Sequence, residues 1–234
     1  MTDNTISGQC PHCQAEMTIQ RPEIIDADRE PDIKATLLSG QFFTAHCPAC
    51  DQDFIAATPL LYYDRRRTAV IQLVPGYDGE SPLLGDDVFN ALQTADSGQP
   101  VRMIRRVVTT PNELTEKIHL LEAGYDDRIV ELAKLIALQE LQGQLPNLST
   151  LRQVRFAPKS ERYPARLLFF YDDEMPSIDF PQSLYDSVGM SFIEALEKND
   201  SANDLVVDLA WAMSFLKRHH FIDRKEEGKT REDN

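Results

Sequence analysis

Positive charge is in short supply: 24 Lys and Arg stand against 38 Asp and Glu in 234 residues, a formal net charge of −14. A broad electrostatic grip on nucleic acid or on an anionic membrane needs the opposite balance. Long hydrophobic runs are missing as well. The greasiest stretch, Ile129 to Leu141, is interrupted by Glu131, Lys134 and Glu140. It falls short of the roughly 18–20 apolar residues that span a bilayer. The first residues, MTDNTISGQC, offer neither a basic n-region nor an apolar h-region, so no membrane association and a cytoplasmic location are expected. Glycine numbers only ten, and no G-x-x-x-x-G-K-[ST], G-x-G-x-x-G, G-x-S-x-G or H-E-x-x-H is present. The simplest nucleotide-binding and hydrolase readings go with them. Cysteine is scarcer still, four residues in all. A chain of this length with 42% hydrophobic residues can bury a core without disulfide staples. In a reducing compartment those four cysteines are then thiolate ligands or redox groups.

Their arrangement favours ligation. Cys10-Pro11-His12-Cys13 and Cys47-Pro48-Ala49-Cys50 are two C-P-x-C pairs with 33 residues between them. Each pair can aim two sulfurs at one centre from a tight knuckle, and two knuckles together make a tetrahedral sulfur site of the structural-zinc type. The Pro after each first Cys fixes φ and stiffens the turn. One structural Zn²⁺ per chain, held by Cys10, Cys13, Cys47 and Cys50, is the expectation, with no catalytic residues assigned. Catalytic zinc wants an open position, which four cysteines leave no room for. The rival is dithiol redox chemistry, but its reactive Cys sits at a helix N-terminus after a strand. Cys10 comes too early for that unit, and the second matched pair would be left unexplained. His12 and His46 flank the ligands and are read as neighbours of the site rather than as members of it.

The first 75 residues read mostly as short strands. Met17–Gln20 and Phe54–Ala57 each follow a cysteine pair, and Leu60–Tyr63 and Ala69–Val74 flank the polar turn Asp64–Arg67 as a hairpin. Between the pairs, residues 31–40 read as a short helix with Pro31 in its first turn and Gly40 beyond its end. A Gly-, Pro-, Asp- and Ser-rich connection covers 75–100, with a helical turn near Asp87–Gln93. Thr110-Pro111-Asn112-Glu113 is a capping box opening a helix with Leu114, Ile118 and Leu121 on one face and an i,i+4 Glu113–Lys117 pair. After Gly124, Asp126 or Asp127 caps a second helix with Ile129, Leu132, Ala133, Ile136 and Ala137 along its stripe. Gln153–Ala157 and Arg166–Tyr171 read as extended. Pro181–Glu197 and Asn203–His219 read as helical, the latter with Leu205, Leu209, Met213 and Leu216 on one face. The tail after Asp223 reads as charged and disordered.

Charged side chains elsewhere form no organised set. Asp26, Asp28 and Asp126-Asp127 suit turns and helix caps, and Asp172-Asp173-Glu174 suits a solvated turn. His119 lacks a nucleophilic partner, and His219-His220 ends a helix. Arg65–Arg67, Arg102, Arg105 and Arg106 are one basic concentration; Arg152, Arg155, Lys159, Arg162 and Arg166 are the other. A nucleic-acid site would need them on one surface.

At the cysteine pairs the chain resembles the CpXC protein family of bacteria and archaea, named for its two C-P-x-C motifs. The likeness includes Ala35-Thr36-Leu37-Leu38-Ser39-Gly40 before the second knuckle and Pro59-Leu60-Leu61-Tyr62-Tyr63-Asp64 after it. It continues through Asn112–Ile118 and Gly124–Glu131, covering residues 8 to about 140. The resemblance implies a zinc-ribbon-like domain of uncharacterised function and brings no catalytic residues. Where many knuckles place Gly after the second Cys, Gln14 and Asp51 stand here.

The expected fold is α+β: an N-terminal Cys₄ zinc-ribbon-like β module with an inserted short helix over 1–75, a linker, strand and helical pair over 76–145, a mixed α/β region over 146–222 and a tail over 223–234. The leading functional expectation is a non-enzymatic zinc-stabilised scaffold or adaptor that binds a protein partner or a second copy of itself, with nucleic acid a lesser alternative. Alternatives from other classes are an enzyme assembled around Glu113, Asp127, Arg128 and Glu131, a dithiol redox protein and a nucleic-acid-binding ribbon.

Overall fold

The computed structural model describes residues 3–80, 83, 103–141, 143–145, 147–198 and 204–221. The helical turn expected near Asp87–Gln93 and the tail after Asp223 lie outside these residues. The fold is mixed α+β. It divides into two compact units, Met1–Gly124 with Ala202–Val206, and Tyr125–Ser201 with Val207–Asn234.

In the first unit, β1 (Asp3–Gln9) and β2 (Glu16–Pro22) form an antiparallel hairpin whose loop is the first cysteine pair, with Ile6 opposite Ile19. The strand β3 (Ile24–Asp26) follows, then helix α1 (Pro31–Leu38), which has Pro31 in its first turn. Gly40 turns the chain at φ 78°, a conformation that costs a residue without Cβ little. A second antiparallel hairpin, β4 (Thr44–Cys47) and β5 (Gln52–Ile55), closes around the second cysteine pair.

The main sheet of this unit is built differently. β6 (Leu60–Asp64) and β7 (Ala69–Leu73) form the expected hairpin around Arg65–Thr68, flanked in parallel by β3 and by β8 (Ile104–Val108). Every residue of β6 and β7 is buried, which is why these strands read as near-continuous apolar runs, broken by Asp64 and Gln72, rather than as an alternation. Helix α2 (Pro111–Ala123) opens with the expected capping box: Thr110 Oγ1 accepts from the Glu113 N–H at 3.2 Å, and Glu113 Oε2 accepts from the Thr109 and Thr110 N–H groups at 2.8 and 3.2 Å. Leu114 and Ile118 of α2 join Ile25, Leu37, Phe43, Leu60, Tyr62, Ile71 and Leu73 in one core.

Arg67 ties the sheet to this helix. It donates from Nη1 to Asp64 Oδ2 at 2.8 Å and from Nε to the Leu121 carbonyl at 3.1 Å. Helix α2 has no basic residue in its own last turn, so Arg67 supplies the positive charge that its exposed carbonyls favour. Gly124 closes the helix at φ 74°.

In the second unit, α3 (Asp127–Glu140) starts at Asp126, whose side chain accepts from the Arg128 N–H at 2.9 Å. The strands β9 (Gln153–Ala157), β10 (Arg166–Phe170) and β11 (Ser177–Asp179) make an antiparallel sheet that buries Val154, Phe156, Leu167 and Phe169. Helices α4 (Gln182–Lys198) and α5 (Leu209–Arg218) both pack on α3. A Cβ on Gly189 would meet Ile129 Cδ1 at 3.1 Å, so the bare glycine permits the close approach of α4.

The last helix differs from expectation. It begins at Leu209, with Asp208 capping the Trp211 N–H at 2.7 Å, and not at Asn203. Leu205 instead accepts a hydrogen bond from the Val107 N–H at 2.7 Å, so a long-range backbone bond replaces the helical turn that the leucine spacing suggested. Among the described residues no helix is long and apolar enough to cross a membrane.

Candidate metal centre

Both cysteine pairs fold into the same knuckle. The Gln14 N–H donates to the Cys10 carbonyl and the Asp51 N–H to the Cys47 carbonyl, each at 2.9 Å. Those bonds draw the residue after the second Cys into the left-handed region: Gln14 has φ 62° and Asp51 φ 59°. This is the position where many knuckles carry Gly, and the conformation is present here despite a side chain at both sites. The His12 N–H points back at Cys10 Sγ, 3.4 Å away, a bond that favours thiolate over thiol.

The two hairpins bring the knuckles together. Cys10 Sγ lies 3.8 Å from Cys50 Sγ, Cys13 Sγ lies 3.7 Å from Cys47 Sγ, and the four sulfurs are all within 4.8 Å of one another. A sulfur tetrahedron around a metal with bonds of about 2.3 Å has edges of about 3.8 Å. The observed contacts have that size, and all four cysteines are free. Cys10 and Cys47 are buried, Cys50 is half-buried and Cys13 is exposed. The donor set therefore fits a soft metal in a closed four-sulfur shell.

The electrostatics agree with ligation. Desolvation works against the Cys10 thiolate, but the backbone N–H groups of Cys13 and His12 and the neighbouring sulfurs outweigh it and lower the thiol to about 6. Desolvation and the three neighbouring sulfurs push Cys50 up to about 12. Four crowded sulfurs thus release one proton readily and keep another tightly, unless a cation compensates the accumulated charge.

The histidines stay outside. His46 sets Nδ1 against Asp53 Oδ1 at 2.9 Å and Nε2 against Asp51 Oδ1 at 3.4 Å. Among the described residues, the cluster able to hold a metal consists of Cys10, Cys13, Cys47 and Cys50.

A family model described as CpXC protein matches residues 9–134, more than half of the chain. The chain belongs to the CpXC family. No curated protein and no solved structure matches it. The match contains both knuckles, the main sheet of the first unit and α2, so the CpXC unit includes the hydrophobic sheet beside the cysteine module.

Among the described residues, several of the other charged groups singled out in the sequence have local partners. Glu113 serves the α2 cap, Arg128 pairs with Asp126, and Glu131 accepts from Lys134 Nζ at 2.9 Å with both side chains buried. Arg66 pairs with Asp28 at 2.7 Å, Arg67 turns inward, Arg65 lies over the Tyr63 ring, and buried Arg106 donates to the Asp204 carbonyl at 2.9 Å. Arg102 lies outside the described residues. In the second unit Arg152 forms a two-pronged pair with Asp172 and lowers its carboxyl, while Arg155 and Arg166 lie over Phe170 and Tyr163. One residue near the cysteine module escapes a motif search: Arg21, 7% exposed. Its signal was the strand alternation, which puts it on the same face as Met17 and Ile19.

Proposed function

We propose that this CpXC protein is a non-enzymatic scaffold in which Cys10, Cys13, Cys47 and Cys50 hold one structural Zn²⁺, and whose surface serves a protein partner. The convergence of two identical knuckles on a four-sulfur cluster carries the reading. A bound Zn²⁺ would supply charge compensation and a crosslink between the two hairpins, while four sulfurs leave it no open position for substrate. Zinc rather than another soft metal follows from chemistry in a reducing compartment: it has no redox cycle and no geometric preference against a tetrahedron. Of the four residues of the enzyme alternative, Glu113, Arg128 and Glu131 are engaged in local bonds, which supports a scaffold over a site assembled from them and Asp127.

The test is metal content of untagged protein purified under reducing conditions, joined to thiol titration before and after chelation. About one zinc per chain, with four thiols reacting only after chelation or unfolding, supports the structural centre. Metal-free protein whose cysteines oxidise and reduce reversibly as pairs overturns it in favour of dithiol redox chemistry.

A further inference from the structure

We propose that Arg21 is the positioning residue of the metal centre: it locks the two cysteine hairpins together at the end remote from the sulfurs and so pre-assembles the four-sulfur site. The proposal rests on the zinc reading above and deepens it. Arg21 stands near the end of β2. It donates from Nη1 to the Ala56 carbonyl at 2.6 Å and from Nη2 to the Thr44 carbonyl at 2.9 Å. Thr44 begins β4, and Ala56 directly follows β5. One guanidinium thus bonds, from the first hairpin, the start of the second hairpin and the residue that directly follows its end. From Glu16 to Arg21 the strand runs five residues, about 17 Å at about 3.3 Å per residue. The cysteines join the hairpins at one end and Arg21 joins them at the other.

The surroundings show that this arginine is built in. Its guanidinium lies 5.6 Å from the Phe42 ring centre and 5.7 Å from that of Phe43, within cation–π range. Phe43 is itself buried in the main core of the first unit, and Phe42 packs against that core. Among the described residues no carboxylate pairs with Arg21. Two carbonyl dipoles and two ring faces stand in for one, leaving a desolvated cation whose planar fork matches the two carbonyls. Lysine has no such fork, so the geometry is specific to arginine. An unlocked pair of hairpins would have to be ordered by the metal itself, and that ordering cost would be subtracted from the affinity.

The experiment measures Zn²⁺ affinity by competition with a chromophoric chelator for the wild-type chain, Arg21→Met, Arg21→Lys and the exposed control Arg29→Met. Arg21→Met is expected to bind zinc at least about tenfold more weakly, the scale at which supporting residues act on metal sites. Hydrogen exchange of the metal-free protein should show β6 and β7 unchanged and β4 and β5 less protected. Arg21→Lys should recover part of the affinity, and Arg29→Met should match wild type. Should Arg21→Met fail to fold, the affinity of Arg21→Lys decides. Affinity unchanged in Arg21→Met or, in that case, in Arg21→Lys overturns the role of Arg21, as does an equal fall in Arg29→Met. A wild-type chain that takes up no zinc overturns the metal reading itself, a result readily told apart from the others.

Discussion

Two parts of the first unit lie side by side in sequence and are held by different forces. The cysteine hairpins alternate in exposure along β2 and β4, and apart from Ala45, Arg21 and the two buried sulfurs they bury little. Strands β6 and β7 are buried at every position and share a core with α1 and α2. The first part depends on a few specific bonds at its two ends, the second on apolar area. Interactions of these two kinds respond to different perturbations, so the parts should be separable by experiment.

The largest effect is expected from Cys47→Ser, or from chelation. Metal binding in sites of this type is worth on the order of 10 kcal/mol, and that free energy is largely folding free energy. Here it should act on the hairpins. Amides of β1, β2, β4 and β5 should lose protection from hydrogen exchange, while those of β6 and β7 keep theirs. Simultaneous loss in both parts would show that the sheet, too, depends on the metal and would dissolve the distinction.

The converse substitution is Leu114→Ala, beneath the sheet and fully buried. Emptying such a site costs about 2–5 kcal/mol. Urea denaturation should show that loss, while metal content stays at wild-type stoichiometry. A fall in metal content would couple the core to the sulfurs and sink the comparison from the other side.

The contrast also explains what could be read in the sequence. The knuckles, the β6–β7 hairpin, the Thr110–Glu113 capping box and Asp126 as a cap were legible because each is written in neighbouring residues. Strand β1 was not, since Asn4-Thr5-Ile6-Ser7-Gly8 has one apolar residue to alternate. It is a strand because β2 supplies its hydrogen bonds. The parallel pairing of β3 with β6 and of β8 with β7 joins segments far apart in the chain, which local patterns do not encode. Leu205 misled for the same reason, since its spacing fits a helix but a distant backbone N–H claims its carbonyl. Arg21 was visible as a residue and silent as a contact, because its partners are carbonyls that any sequence has.

A smaller effect tests the knuckles alone. Gln14 holds φ 62°, a left-handed conformation that costs a residue with a Cβ about 1–2 kcal/mol. Gln14→Gly should therefore stabilise the first knuckle, less the added freedom of the unfolded glycine, for a net gain of up to about 1 kcal/mol. Asp51→Gly should gain less, since Asp is tolerated there better. Thermal melts of the metal-loaded variants measure both. Equal gains would mean that the side chain at this position is immaterial.

The smallest effect at neutral pH, and the most telling for the sheet, belongs to Tyr62→Phe. Among the described residues the buried Tyr62 hydroxyl has no hydrogen-bond partner, and its ring belongs to the apolar cluster shared by the sheet, α1 and α2. Removing an orphaned donor ranges from neutral to stabilising, about 0–1 kcal/mol at pH 7. At high pH the difference should grow. Burial, reinforced by the Asp64 and Glu122 carboxylates, raises the Tyr62 phenol well above its usual value of 10.0. The folded chain then keeps the proton where the unfolded chain releases it. The contribution of Tyr62 to stability is whole below about pH 10 and drains away as pH climbs towards the folded value. Tyr62→Phe has no such proton to lose, so its urea midpoint should fall less steeply between pH 9 and pH 11 than that of wild type. Parallel pH profiles would mean that Tyr62 ionises in the folded chain as it does in water, and the sheet would be wetter at β6 than its burial indicates.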